Sequence, residues 1–181
     1  AETQVTQELW ESVMGDNPSH FKFKGKQNPV ECVSWVDCKS FIEKINNKTG
    51  LKFRLPREAE WEYAAKGGNE SKGYSEYSGD NDIGAVAWYA ENSNGTTHPV
   101  KLLKPNELGL YDMCGNVWEW CEDSSSALGK VTRGGAYDSS AERCMHTIRF
   151  NVFLAKYNFI GFRLALDMDS ILHNANYLYV E

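Results

Sequence analysis

Gly109-Leu-Tyr-Asp-Met-Cys-Gly-Asn-Val-Trp-Glu-Trp-Cys121 puts two glycines, two tryptophans and two acidic residues into one short run. That density fixes a backbone: glycine reaches conformations closed to other residues, and tryptophan demands close packing around a large ring. Downstream stand Arg133-Gly-Gly-Ala-Tyr137 and Gly161-Phe-Arg163, punctuation of the same kind. Between these flanks, residues 138–159 mix small polar, aromatic and aliphatic side chains with no period of two or of 3.6. A rigid frame around an irregular insert points to a presentation surface.

Upstream the pattern is helical. Thr6 is placed to cap a short helix carrying Leu9, Trp10, Val13 and Met14 and ending at Gly15. Ser34 followed by Asp37 has the form of a capping box. The helix it opens sets Trp35, Cys38, Phe41, Ile42 and Ile45 on one face and stops in the polar run Asn46–Gly50. A third helix is predicted from about Pro56, a residue suited to a first turn, through Ala65, with Gly67-Gly68 as its stop. From Gly73 onward the chain turns to loops rich in Gly, Asn, Asp and Ser. Short strands are expected at 86–89, 99–103, 117–118, 131–132 and 162–166. No internal repeat or linker divides the chain. The reading is a single domain over residues 1–181 with a polar, fraying tail after Asp167.

Composition removes several function classes. The 181 residues suffice for a proper core. A net charge of -6, with no basic cluster, argues against a nucleic-acid binder. No apolar run approaches ~18 residues, so no transmembrane segment is expected. The start at Ala1 reads as mature or trimmed, so a missing export signal carries no weight. Five cysteines, Cys32, Cys38, Cys114, Cys121 and Cys144, show no CxxC spacing and read as buried free thiols.

Val30-Glu-Cys-Val-Ser-Trp35, Arg54-Leu-Pro-Arg-Glu-Ala-Glu-Trp-Glu-Tyr-Ala-Ala65, His98-Pro-Val100, the 109–120 stretch, Arg133-Gly-Gly135 and Gly161-Phe-Arg163 occur in one order. In that order they resemble the formylglycine-generating enzyme, or sulfatase-modifying factor, family over about residues 5–166. The resemblance implies an α+β, loop-rich, C-type lectin-like fold. This fold serves copper-dependent oxidases, iron-dependent sulfoxide synthases and non-enzymatic binding proteins, so the site must decide between them.

The oxidases use two cysteines after the Gly-Gly motif to hold copper(I), a metal that soft thiolates favour. Laid on this chain without gaps, the second falls on Cys144 and the first on Ser139. A hydroxyl is a poor copper(I) ligand and forms no disulfide, so Cys144 reads as a core thiol and no catalytic residue is assigned. The four histidines, His20, His98, His146 and His173, are scattered and share no ligand-like spacing. The family's calcium site, carried over, would use the Asp112 and Glu119 side chains with carbonyls at Gly115 and Val117. Hard oxygens suit calcium, although Asp112 capping a turn and Glu119 in a buried ion pair account for the same residues. A structural calcium is therefore an open expectation, and no cofactor is required.

In the insert, Asp138, Ser139, Ser140, His146, Phe150, Asn151, Val152, Phe153, Leu154, Tyr157, Asn158 and Phe159 are each reachable from an asparagine codon by changing only its two adenines. This resembles the variable proteins of diversity-generating retroelements, which display changing residues on a lectin-like fold. The expected binding set is Tyr137, Asp138, Ser139, Ser140, Arg143, His146, Phe150, Asn151, Val152, Phe153, Leu154, Tyr157 and Phe159. Aromatic anchors beside adaptable Ser and Asn suit such a surface; a core strand through Val152, Phe153 and Leu154 is the competing reading. The expected partner is a protein or cell-surface ligand, met outside the cell or at its surface, with a lipid anchor upstream of Ala1 compatible with that. The alternative activity is a copper oxidase acting on a peptidyl cysteine.

Overall fold

A computed structural model describes residues 1–124 and 129–167; the polar tail beyond Asp167 lies outside the described residues. Helix α1 (Gln7–Met14) starts where the Thr6 hydroxyl accepts the Leu9 N–H, and it closes at Gly15 in the left-handed conformation. In α2 (Trp35–Thr49), Ser34 and Asp37 form the reciprocal capping box, and Gly50 closes the helix. Cys38, Phe41, Ile42 and Ile45 are buried, while half-buried Trp35 gives its indole N–H to the Cys121 carbonyl at 3.0 Å. Helix α3 (Glu58–Ala65) begins later than the proline signal predicts. The Glu60 carboxylate reaches back to accept the Arg57 N–H at 2.9 Å, so the helix opens there and Pro56 stays outside.

The remainder is short strands joined by loops. Strand β1 (Phe53–Arg54) pairs antiparallel with β8 (Ala165–Leu166). A one-turn helix, α4 (Ile83–Val86), leads into β2 (Ala87–Trp88), which pairs parallel with β3 (Cys114–Gly115). The main sheet has the order β6-β5-β4-β7, built from β4 (Trp118–Ser124), β5 (Gly129–Arg133), β6 (Arg149–Phe153) and β7 (Ile160–Gly161). Strands β4, β5 and β6 run antiparallel, and β7 joins β4 in parallel.

Two expectations fail. The segment 99–103 is a turn, with Lys101 at φ 67° and the Val100 N–H given to the Gln27 carbonyl. Conversely, β6 arises inside the segment read as irregular. As an edge strand it buries only Val152, so its sequence carries no alternation.

The core lies under the main sheet. Trp10 stacks on Phe41 at 5.2 Å, and Phe162 packs edge-on to both. These rings join α1 and α2 to the strand end, each contributing about 2–3 kcal/mol of burial. The architecture is α+β with its longer helices in the N-terminal third, as expected.

Candidate binding face

Three separated signatures meet at one buried carboxylate. Glu119, fully buried in β4, accepts from Arg163 Nε at 2.6 Å and Nη2 at 2.7 Å, and from the Trp61 indole N–H at 2.6 Å. The motif of residues 109–121, the Gly-Phe-Arg triplet and α3 are thereby locked together. Arg133, 2% exposed, makes a second lock: it holds Glu58 at 3.0 Å and Glu62 at 2.7 Å on α3, and gives an N–H to the His146 carbonyl at 2.7 Å. The frame thus grips the backbone of the insert directly. Two glycines are obligatory here. A Cβ on Gly115, at φ +75°, would lie 2.2 Å from the Trp88 carbonyl, and one on Gly135, at φ +80°, would lie 2.6 Å from Cys144 Sγ.

Against this frame lies a cavity of about 260 Å³. Its walls include Asp138, Ser139, Ser140, Arg143, Phe150 and Phe159, all of them expected site residues. Its seventh wall is Trp118, which belongs to the frame. The Trp118 and Phe150 rings pack at 5.5 Å, and the Arg143 guanidinium lies 6.0 Å from the Phe150 ring centre. Loss of solvent raises the Asp138 carboxyl pKa, with the Arg143 charge opposing. Among the described residues neither Asp138 nor Arg143 has an ion-pair partner. The cavity therefore offers an aromatic wall with a carboxyl and a guanidinium that form no salt bridge.

The other expected residues disperse. Strand alternation separates Phe150 and Val152 from Arg149, Asn151 and Phe153. Phe150 faces Trp118, Val152 enters the main core, and Arg149 on the opposite side reaches Glu58 at 3.2 Å. Asn151 is exposed with them, as are Phe153 at 68% and Leu154 at 41%, which form a second, outward patch. Tyr157 and Phe159 are half-buried and pair at 5.2 Å. Besides Ser139, which is 5% exposed although it borders the cavity, three expected residues leave the surface. Tyr137 is buried edge-on to Phe21 at 5.1 Å, and burial pushes its phenol pKa up to about 12. His146 is buried, bonds the Ser75 carbonyl at 2.6 Å and has its pKa lowered by desolvation. Val152 is the third. Trp118 is the wall residue that sequence reasoning assigned only to the scaffold; its spacing of two from Trp120 on a strand was the available signal.

The metal expectations meet different geometries. For copper, Ser139 uses its hydroxyl to accept the Ala136 N–H at 3.0 Å, and Cys144 is fully buried with its thiol pKa driven up by desolvation. That pair does not fit copper(I), which needs accessible thiolate. All five cysteines are free thiols, and four are buried as expected; Cys32 is half-exposed. For calcium, the carbonyls of Gly115 and Val117 and the Glu119 carboxylate do converge, joined by the carbonyl of Asp112. The Asp112 carboxylate does not join them; it accepts the Lys101 N–H at 3.0 Å, and burial raises its pKa to about 6.

No described helix is long and apolar enough to cross a membrane. The sulfatase-modifying factor enzyme 1-like domain matches residues 1–168. The chain is similar to the chaperone protein LppX of Paenibacillus barcinonensis, 35% identical over 193 residues, covering 76% of this chain and 68% of that protein. It is 33% identical over 180 residues to the formylglycine-generating enzyme of Streptomyces coelicolor, covering 80% of this chain but only 55% of that enzyme. Among solved structures, Treponema denticola variable protein 1 matches with a TM-score of 0.85 at 34% identity, covering 91% of this chain and 82% of that one. With its signatures gathered on Glu119 and a match across nearly its whole described length, the chain belongs to the formylglycine-generating enzyme-like, sulfatase-modifying factor family and has that family's C-type lectin-like fold.

Proposed function

We propose that this chain is a non-enzymatic ligand-binding protein, diversified by a retroelement, that presents residues of about 138–159 to a protein or cell-surface ligand outside the cell. The observation that carries the reading is the cavity walled by Trp118, Phe150 and Phe159 together with Asp138 and Arg143, which form no salt bridge among the described residues. Aromatic anchors give contact area at low entropy cost, and the two charged groups add orientation. The likeness to a variable protein supports the same reading. So does the mismatch at Ser139 and Cys144, where an oxidase needs two accessible thiols.

Sequencing this locus in separate isolates tests the proposal. Substitutions should gather at positions such as 138, 150, 151, 153, 157 and 159, spare Cys144, and keep position 152 apolar. Even variation along the gene, or none within 138–159, removes the reading. Conversion of a peptidyl cysteine to an aldehyde by the copper(I)-loaded protein would replace it with the oxidase.

A further inference from the structure

The carbonyl oxygens of Asp112, Gly115 and Val117 and Oε1 of Glu119 face a single point inside the molecule. Gln4 Nε2 sits at that point, 3.2, 3.4, 3.0 and 3.0 Å from them in that order. Gln4 is 1% exposed and lies just ahead of α1. Four acceptors around one centre call for either hydrogen-bond donors or a cation there, and dense hard oxygens are how proteins hold calcium. We propose that the Gln4 amide stands in for a divalent cation, so that this oxygen ring is closed by a hydrogen-bond donor and the fold holds without calcium.

Three observations support it. First, the network decides which end of the amide points inward. Turning the oxygen in would place a fifth lone-pair group among four, whereas the nitrogen brings two N–H donors to share among them. Second, the site keeps the nitrogen inward even though this leaves Gln4 Oε1 buried with no partner, a cost set against the four acceptors that the N–H donors meet. Third, the charge is already balanced. The carboxylate of Glu119 is committed to Arg163 at 2.6 and 2.7 Å and to Trp61, while that of Asp112 is turned to the Lys101 N–H. A dication would meet one carboxylate shared with a buried arginine. It would also find fewer than the roughly 6–8 oxygens calcium takes.

Terbium(III), a calcium mimic whose emission is excited by nearby tryptophan, tests this on the intact chain. Trp61 touches the ring through Glu119, so an ion held there is reported. The wild type should show no calcium-displaceable sensitised emission, and its Tm should agree within about 1 °C in calcium and in EDTA. Gln4→Glu adds a second carboxylate; it should gain displaceable emission and a Tm that calcium raises. Gln4→Met keeps the bulk without the donor; its Tm should fall equally in both buffers. Stoichiometric terbium binding by the wild type, or a wild-type Tm that drops in EDTA, would overturn the proposal, as would a folded Gln4→Glu indifferent to calcium. If Gln4→Glu does not fold, the wild-type titration decides alone.

Discussion

One rung of the main sheet runs from Glu119 in β4 through Arg133 in β5 to Arg149 in β6. Along it the surroundings change from interior to solvent: Glu119 is 0% exposed, Arg133 2%, and the Arg149 side chain 49%. The next rung, Trp120–Thr132–Phe150, makes the same passage, from 0% at both Trp120 and Thr132 to 37% at Phe150. The backbone ladder is continuous through both rungs, while the side-chain constraint is not. Residues of β4 and β5 are tied by paired charges, indole N–H groups and packing. Strand β6 is held chiefly by its ladder with β5, helped by the Thr132 hydroxyl given to the Phe150 carbonyl at 3.1 Å. Main-chain pairing asks little of side-chain identity, so a strand placed in this way tolerates exchange of its outward residues.

Glu119→Ala strips Arg163 and Trp61 of their partner and leaves a buried guanidinium uncompensated, which should cost about 3–5 kcal/mol in denaturant unfolding. A loss near that of a surface substitution would mean that the hub is no more constrained than the face. Gly115→Ala follows. Its Cβ would meet the Trp88 backbone at 2.2 Å in a left-handed conformation, a predicted loss of roughly 3 kcal/mol.

Acidity probes the same frame. Burial raises the Asp112 pKa from 3.8 to about 6, so between those values the folded state holds a proton that the unfolded chain releases. The contribution of this group is most favourable below the unfolded pKa and is lost as pH rises through about 6. Asp112→Asn keeps an acceptor for the Lys101 N–H. It should be more stable than wild type near pH 7 by on the order of 2 kcal/mol, with the gap closing toward about pH 4. The difference between the two proteins is the quantity to measure, because Glu60 and Glu62, held low by hydrogen bonds from Arg54 and Lys66, pull stability the other way on acidification. A gap constant across that range would show that Asp112 is not protonated in the fold.

Legibility in the sequence followed the same division. The caps at Thr6 and Ser34 and the helix end at Gly15 are local devices, and the sequence reveals them fully. The frame was legible as punctuation, although its reason, the convergence of Trp61, Glu119 and Arg163, is a long-range fact that spacing cannot express. The face was legible as a segment but not as a geometry. Strand β6 was legible only as the competing core strand through Val152, Phe153 and Leu154, and of these only Val152 is buried; an edge strand with one buried residue has no period, and alternation sent Phe150 and Phe153 to opposite sides. His146 and Tyr137 went inside because Ser75 and Phe21, remote in the chain, cover them. Gln4 carried no signal of its own; only the three carbonyls around it give that residue a meaning.

The smallest expected effect bears most directly on the face. Phe153→Ser and Asn151→Ser lie on the outward side of β6, where neither side chain packs against the main core. Each should change unfolding stability by no more than about 0.5 kcal/mol, since the ladder that holds them uses only main-chain atoms. Phe150→Ala should cost a little more, because its ring rests on Trp118. In binding the order should change sides. Phe150, in the cavity, should lose about 2 kcal/mol of affinity for a ligand selected on this face, roughly thirtyfold, while Asn151→Ser should lose far less. A Phe153→Ser protein that unfolds as readily as the Glu119 variant would place that ring in the folding core. One that keeps its stability yet loses as much affinity as Phe150→Ala would mean that the recognition surface extends around the edge strand beyond the cavity.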